Sequence, residues 1–143
     1  MNQTPTNIDT FNAVVGVIFS ELYLSFPLPR DLNEGSVRKI LEKEGDDWLT
    51  SFSRSEGFFR STMDWLIHAD YIWHEETQSE FAKRYCRCVL SPKGLESLKA
   101  TPTGIGGVSL GERIAEASKA GTLKVLGDFA SQSLGIALSM AFR

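Results

Sequence analysis

One short stretch of the chain combines guanidinium and hydroxyl side chains, the groups that bind phosphate and the edges of bases. The four candidates are Arg54, Ser55, Arg60 and Ser61. Ser53 or Ser55 is a favourable N-cap, so a helix is expected to begin here, and its first amides would attract an anion. These four residues are therefore predicted to bind DNA. Glu56 and Asp64 on the same helix favour the alternative, a solvated polar face.

A second basic pair, Lys83 and Arg84, lies in the polar segment 74–84 between two aromatic stretches. This pair could reach the DNA backbone or the minor groove. The same segment carries three carboxylates, Glu75, Glu76 and Glu80. Because attraction to phosphate needs local positive charge, the segment is equally compatible with contacts to DNA and with contacts to a protein.

The histidines and cysteines match no catalytic or metal-binding pattern. Cys86 and Cys88 are closer together than the paired ligands of closed zinc sites, and His68 and His74 do not complete such a motif. No serine is paired with a histidine as nucleophile and base. The glycine-rich segment 104–107 is not followed by the lysine and hydroxyl residue of a phosphate loop. We expect no enzyme activity, no metal and no cofactor.

Composition indicates an ordinary globular protein, with 42% hydrophobic and 23% charged residues. The net charge of −3 counts against a dedicated nucleic-acid binder, although binding depends on local patches. Two cysteines are too few for a disulfide framework. The first residues do not resemble a signal peptide, and no apolar run reaches the roughly 20 residues needed to cross a bilayer. The chain is therefore expected to be cytoplasmic, with no membrane partner.

Apolar periodicity predicts the elements that would position these residues. A first helix is expected after Asp9 or Thr10, a second near Asp31 or Asn33, and a third from Ser53 or Ser55 to residues 69–70. The proline-rich segment 26–32 is expected to be extended. Trp48, Leu49 and Phe52 are expected to form a turn that packs inward.

Aromatic and β-branched residues then predict a hairpin, with strands at residues 71–73 and 85–90. Ser91 and Pro92 are typical of a helix start and predict a fourth helix.

The C-terminal segment 108–143 follows a glycine-rich linker, residues 101–107. It predicts two helices, and the second has few charges and an apolar stripe that would form an interface between subunits. The predicted interface residues are Leu123, Leu126, Phe129, Ala130, Leu134 and Leu138. Two alternatives are a helix that folds back onto the first helix of its own chain and a helix that lies on a membrane surface.

Three segments carry a family resemblance: residues 62–66 (TMDWL), 70–72 (DYI) and 89–98 (VLSPKGLESL). With the order helix, extended segment, helix, helix, hairpin, helix, the chain over residues 8–100 resembles the winged-helix superfamily. Asp70 stands where that pattern usually has glycine, and Asp tolerates the left-handed backbone conformation. The start LYLSFPLPRDL, residues 22–32, is similar to small proteins of bacterial mobile elements.

The resemblance implies a mainly α fold with a small β-hairpin and a winged-helix domain at 8–100. The glycine-rich stretch and the apolar stripe add a linker at 101–107 and a helical oligomerisation segment at 108–143. The resemblance implies a bacterial transcriptional regulator that binds double-stranded DNA, and the C-terminal stripe predicts that it acts as a homodimer or higher oligomer. The alternative function is a non-catalytic protein-interaction or structural module on the same fold.

Overall fold

The computed structural model describes residues 6–76, 85–101 and 107–141. The chain is mainly helical, at 69%, with one small antiparallel sheet, so the predicted mainly α class is confirmed. In chain order the elements are α1 (Asn7–Ser25), β1 (Arg30–Leu32), a 3₁₀ turn (Glu34–Ser36), α2 (Arg38–Leu41), α3 (Trp48–His68), β2 (Ile72–Glu76), β3 (Tyr85–Leu90), α4 (Pro92–Lys99), α5 (Leu110–Ala120) and α6 (Leu123–Ala141).

Helix boundaries follow capping side chains. Helix α1 begins earlier than predicted, because Thr6 and Asp9 form a capping box around its first turn. Ser91 caps α4 with Pro92 in the first turn, as the sequence predicts. After α3 the chain turns through Asp70 at φ 65°, the left-handed conformation expected for this residue.

The three strands form a sheet in the order β1-β3-β2, with both pairs antiparallel. Ile72 lies opposite Leu90 and Trp73 opposite Val89, so the predicted hairpin between residues 71–73 and 85–90 is confirmed. The extended segment after α1 supplies the third strand, in which Arg30 lies opposite Cys88. This pairing was not predicted, and it ties the connector to the hairpin.

Helix α1 lies at the centre of the core, with Val14, Ile18 and Phe19 fully buried. Its length and hydropathy would also suit a membrane-spanning helix, contrary to the expectation that no segment would; core helices of compact proteins meet the same criterion. Helix α6 packs closely along it: a Cβ added at Gly16 would lie 2.6 Å from the Leu126 side chain.

The structure buries some residues of the predicted interface stripe on α6 inside the chain and leaves others exposed. Leu126 and Ala130 are buried inside the chain, and Phe129 and Leu134 are half-buried against the same core. Leu123 keeps 44% of its surface exposed, and the side chain of Leu138 lies outside the described part. This packing agrees with the alternative in which α6 folds back onto α1, so most of the stripe is not free to join subunits.

Candidate functional site: the N-terminal end of helix α3

Helix α3 begins with Asp47 as its N-cap, two turns before the predicted start at Ser53 or Ser55. The carboxylate of Asp47 accepts from the amide of Thr50 at 2.8 Å. Arg54 and Ser55 therefore lie about two turns into the helix rather than at its end, and the first turn begins with Trp48, Leu49 and Thr50. The prediction that Arg54 and Ser55 lie at a helix N-terminus is wrong.

Arg54 is engaged within the chain. Its guanidinium donates to both carboxylate oxygens of Asp46, at 2.5 and 3.3 Å, and to the carbonyl oxygen of Leu41 at 3.1 Å. The hydrogen bond from Arg54 holds the pKa of Asp46 below its ordinary value. Arg54 thus links the start of α3 to the end of α2.

Ser55 is fully buried and also bonded within the chain. Its Oγ donates to Glu34 at 2.8 Å, and the same carboxylate accepts from the guanidinium of Arg38. Hydrogen bonding to Arg38 is the main reason why the pKa of Glu34 is lowered. The structure therefore places Ser55 in an internal polar network, where it cannot reach a phosphate.

The remaining four predicted DNA-binding residues, Arg60, Ser61, Lys83 and Arg84, have different surroundings. Arg60 pairs with Glu56 at 2.9 Å, one helical turn away. Ser61 is exposed. Lys83 and Arg84 lie outside the described residues. Of the four predicted residues on α3, Ser61 alone has no ion pair or buried bond in the part of the chain that the structure describes.

An exposed aromatic surface lies at this end of α3 instead. Trp48 and Leu49 are 66% and 64% exposed. The Trp48 ring stacks on Phe52, with centroids 5.2 Å apart and planes 11° apart. The Arg38 guanidinium lies 5.9 Å from the Trp48 centroid and 6.0 Å from that of Phe52. We call Trp48, Leu49 and Phe52 the Trp48 surface.

The Trp48 surface was missed by the sequence analysis, which expected these residues to pack inward. Trp48 is eleven positions before Phe59, so it lies on nearly the same helix face but about 16 Å further along the axis. Periodicity identifies the face and does not show where the covering elements end. The acidic N-cap at Asp47, followed by Thr50, was the local signal that could have placed the helix start.

Beside the Trp48 surface is a cavity of about 350 Å³, here called the acidic cavity. It is lined by Arg38, Glu42, Lys43, Glu44, Asp46, Asp47, Trp48 and Ser51. Its carboxylates outnumber its cations by four to two. The pKa of Asp47 is also lowered, chiefly by its hydrogen bond to Thr50, so the carboxylate stays ionised at neutral pH.

Ser51, one of the residues that line this cavity, has a buried hydroxyl without a hydrogen-bond partner among the described residues. The residue is only 7% exposed. A buried polar atom without a partner is rare and destabilising, because the group has lost its water without a replacement. The Ser51 Oγ is itself closed to solvent, so a ligand in the acidic cavity would not reach it in this arrangement.

A second groove, of about 650 Å³, lies between α1 and α3 and is lined mainly by apolar residues. Phe11 packs edge-on against Trp65, with centroids 5.3 Å apart. Its polar residues are Asn7, Ser61 and Thr62, and none of the residues that line it is ionisable. The groove can hold apolar atoms but offers no acid, base or metal ligand.

The thiols and histidines remain apart from both cavities. Cys88 is buried, and burial raises its pKa to about 12, so the thiol stays protonated at neutral pH. His74 lies beside Tyr85, with ring centroids 5.8 Å apart. Among residues 6–76, 85–101 and 107–141, no group of three histidine, cysteine, aspartate or glutamate side chains is placed to hold a metal ion.

The chain was compared with protein-family models, with curated proteins and with solved structures, and none of them matches it.

Proposed function

We propose that this chain is a non-catalytic protein-interaction module on a winged-helix fold, and that it binds its partner through the N-terminal end of α3. The observation that carries the proposal is the exposure of Trp48 and Leu49 beside the acidic cavity. Large exposed aromatic and aliphatic side chains in a cluster are typical of protein interfaces.

The order of elements supports the winged-helix part of the proposal. Helix α1, strand β1, helices α2 and α3, the β2–β3 hairpin and α4 follow one another in the order that the resemblance implies. The left-handed Asp70 occupies the turn between α3 and the hairpin. Fold alone is a weak guide to function, so the choice of partner depends on the surface.

Charge favours a protein over DNA at this surface. In winged-helix proteins that bind DNA, the third helix enters the major groove with its N-terminal residues. Here the segment that leads into α3 carries Glu42, Glu44 and Asp46, and Asp47 caps the helix; these carboxylates would repel phosphate. The nearest arginines, Arg38 and Arg54, are already paired with carboxylates.

The function as a DNA-binding regulator stays a prediction, and a DNA-binding measurement tests it against the proposed protein interaction. Fluorescence anisotropy with random and genomic duplexes, at low and at moderate salt, measures any DNA affinity. We expect no binding at either salt concentration. Affinity that falls steeply with salt, and that is lost when Arg54 and Arg60 are both changed to alanine, would overturn the protein-interaction proposal.

The positive arm of the test uses capture of partners from an extract of the source organism. The full chain is compared with a Trp48→Ala/Leu49→Ala variant and with Trp73→Ala, which removes an exposed tryptophan from strand β2. A specific partner should be retained by Trp73→Ala and lost from the double variant. Equal retention by all three proteins would contradict binding through the Trp48 surface.

The predicted homo-oligomer and the cytoplasmic location also stay predictions. Light scattering on the full chain measures the oligomer. The packing of Leu126 and Ala130 inside the chain leaves Leu123 as the most exposed of the predicted interface residues whose side chains the structure describes.

A further inference from the structure

We infer that the groove between α1 and α3 is filled by a second copy of this chain, in a two-fold dimer in which the two α3 helices cross at Ser61. The inference goes beyond the proposed function and concerns a different part of α3 from the Trp48 surface. It is carried by the shape of this part of the helix, by a glycine that the described chain leaves uncovered, and by the engagement of the neighbouring charges.

The shape is set by three exposed residues that line the groove. Gly57, Ser61 and Trp65 follow one another at four-residue intervals along α3, so they form one ridge on the helix surface. One end of this ridge is a glycine, and the other is a tryptophan with 47% of its surface exposed. The two ends are about 12 Å apart along the axis, with the small Ser61 midway between them.

A two-fold axis at Ser61 would match both ends of the ridge at once. The axis reverses the ridge, so that each copy places its Trp65 over Gly57 of the other. Such a self-complementary contact is the rule in two-fold dimers, the commonest homo-oligomers. Ridges of four-residue spacing meet when two helices cross at about 50°, the commonest class of helix packing. A different protein would need only one end of the ridge, and the presence of both ends favours a second copy.

Gly57 itself is covered by nothing in the described chain. A Cβ atom added there would have no neighbour within 4 Å, and the backbone is not in the left-handed conformation that favours glycine. Glycine inside a helix is less favourable than alanine, so the fold gives no reason for it. By contrast, a Cβ added at Gly16 would lie 2.6 Å from the Leu126 side chain. A close approach from outside the chain explains Gly57.

The charged residues next to the ridge are already engaged. Arg60 pairs with Glu56 at 2.9 Å, and Asp64 accepts from the Tyr85 hydroxyl at 2.7 Å. None of the residues that line the groove is ionisable. A second copy would therefore cover the ridge without burying an unpaired charge, which would be costly. At the axis the Ser61 hydroxyl would meet its own equivalent, and a hydroxyl both donates and accepts.

Trp65 is held in position within each copy. Its ring stacks on Tyr71, with centroids 6.0 Å apart and planes 15° apart, and Phe11 packs edge-on against it. A ring fixed by two neighbours loses little conformational freedom on association, which favours binding. The groove, of about 650 Å³, has room for the indole of the second copy.

Sedimentation velocity on the full chain at increasing concentration tests the dimer, and we expect a monomer–dimer equilibrium. Gly57→Ala should raise the melting temperature, because alanine favours the helix. It should also raise the Kd of the dimer about tenfold, because its methyl group occupies the space of the incoming indole. Increased stability with weaker association is not expected from a purely structural glycine.

The matched control is Gly135→Ala. Gly135 lies in α6 and also has no neighbour within 4 Å of an added Cβ, but it does not line the groove. This variant should raise the melting temperature and leave the dimer unchanged. A chain that is monomeric at every concentration would overturn the inference, and so would equal dimerisation of the two glycine variants.

The other end of the ridge gives an independent result. Trp65→Ala should abolish the dimer, whereas Trp73→Ala, which removes an exposed tryptophan from β2, should leave it intact. Thermal unfolding checks that both variants are folded, and Gly57→Ala decides the question if Trp65→Ala is not. A dimer that survives Trp65→Ala in the folded protein would contradict the proposed contact.

A cysteine on the axis tests the symmetry. Because the two copies of Ser61 meet in the dimer, Ser61→Cys should form a disulfide-linked dimer when it is oxidised with diamide. Ser131→Cys, at an exposed position of α6, is the control, and the unsubstituted chain measures the background from Cys86 and Cys88. Equal cross-linking of the two variants would overturn the two-fold arrangement.

Two further variants separate this contact from other surfaces. Trp48→Ala/Leu49→Ala changes the Trp48 surface, and Leu123→Ala changes the exposed end of the α6 stripe. Both should leave the dimer unchanged, and loss of the dimer from either would place the contact elsewhere and overturn the inference. If the chain is monomeric but captures a partner through Trp48, this inference fails and the proposed function stands.

Discussion

The two halves of helix α3 carry out different tasks. In the C-terminal half, Phe59, Met63 and Leu66 are buried in the core. In the N-terminal half, Trp48 and Leu49 are exposed on a surface that nothing in the described chain covers. One continuous helix thus holds the fold together at one end and presents side chains to solvent at the other.

Ser51 and Ser55, one helical turn apart, illustrate the difference between the two halves of α3. Ser55 is buried and donates to Glu34, whereas Ser51 is almost as buried and bonds to nothing among the described residues. Their chemistry and depth are similar, so the difference lies in the neighbours that the fold supplies. The fold supplies a hydrogen-bond partner to Ser55 but none, among the described residues, to Ser51, and the side chains of Trp48 and Leu49 beyond it are largely exposed.

The largest effect is expected in the C-terminal half. Leu66→Ala removes a fully buried side chain and should lower the free energy of unfolding by about 3 kcal/mol. Leu49→Ala removes the same atoms from an exposed position and should change it by less than about 0.5 kcal/mol. Urea unfolding measures both. Similar losses for the two variants would show that the two halves are equally packed, contrary to the comparison.

A smaller loss of stability is expected from a substitution in α6, at a position buried in the same core. Ala130→Leu adds atoms at a fully buried position and should cost about 2 kcal/mol through overpacking. Ser131→Leu, at an exposed neighbouring position, serves as its control. Unfolding and light scattering are measured together. A variant that keeps its stability but changes its molecular mass would place Ala130 between subunits and restore the predicted oligomer interface.

Acid should destabilise the fold by protonating Glu34, whose carboxylate accepts hydrogen bonds from Arg38 and from Ser55 in α3. The pKa of Glu34 lies below its ordinary value of 4.5, because its carboxylate accepts from Arg38. A lowered folded-state pKa adds stability above the unfolded-state value, and this stability is lost as the pH falls through the folded-state pKa. Glu34→Gln should cost about 1–2 kcal/mol at neutral pH.

Unfolding curves across acidic pH check the sign of this effect. The wild type should lose more stability on acidification than Glu34→Gln does, so the two proteins should converge at low pH. Parallel curves for the two proteins would mean that the carboxylate is not bonded in its charged form.

The smallest effect distinguishes the two serines. Ser55→Ala should cost about 1 kcal/mol because it leaves Glu34 without one donor. Ser51→Ala should be neutral or slightly stabilising, because it removes a buried hydroxyl that has no partner among the described residues. Thermal unfolding of the two variants side by side is sufficient. A clear loss from Ser51→Ala would show that its hydroxyl is bonded in solution.

Local chemistry made several elements predictable. Ser91 and Pro92 identified the start of α4, and aromatic and β-branched residues identified the hairpin. Asp70 was expected to tolerate a left-handed turn and adopts one. The helices at Leu110–Ala120 and Leu123–Ala141 follow from periodicity, with Gly121 between them at φ 75°. Each of these signals lies within a few residues of the feature that it predicts.

Contacts between distant segments could not be predicted in the same way. The return of α6 onto α1 depends on the close approach at Gly16, and an apolar stripe fits an intrachain or an intersubunit contact equally well. The internal use of Arg54 depends on Asp46, which a turn brings back against α3. The candidate site escaped detection for the same reason, since exposure at Trp48 depends on where neighbouring elements end.

The pairing of α1 with α6 has a consequence during synthesis. A ribosome makes α1 before α6, and α6 is the last of the described elements that pack on α1 to emerge. For that interval the face of α1 that packs on α6 is uncovered, and this 19-residue helix is apolar enough to resemble a membrane segment. Newly made chains should therefore depend on a chaperone until α6 leaves the exit tunnel.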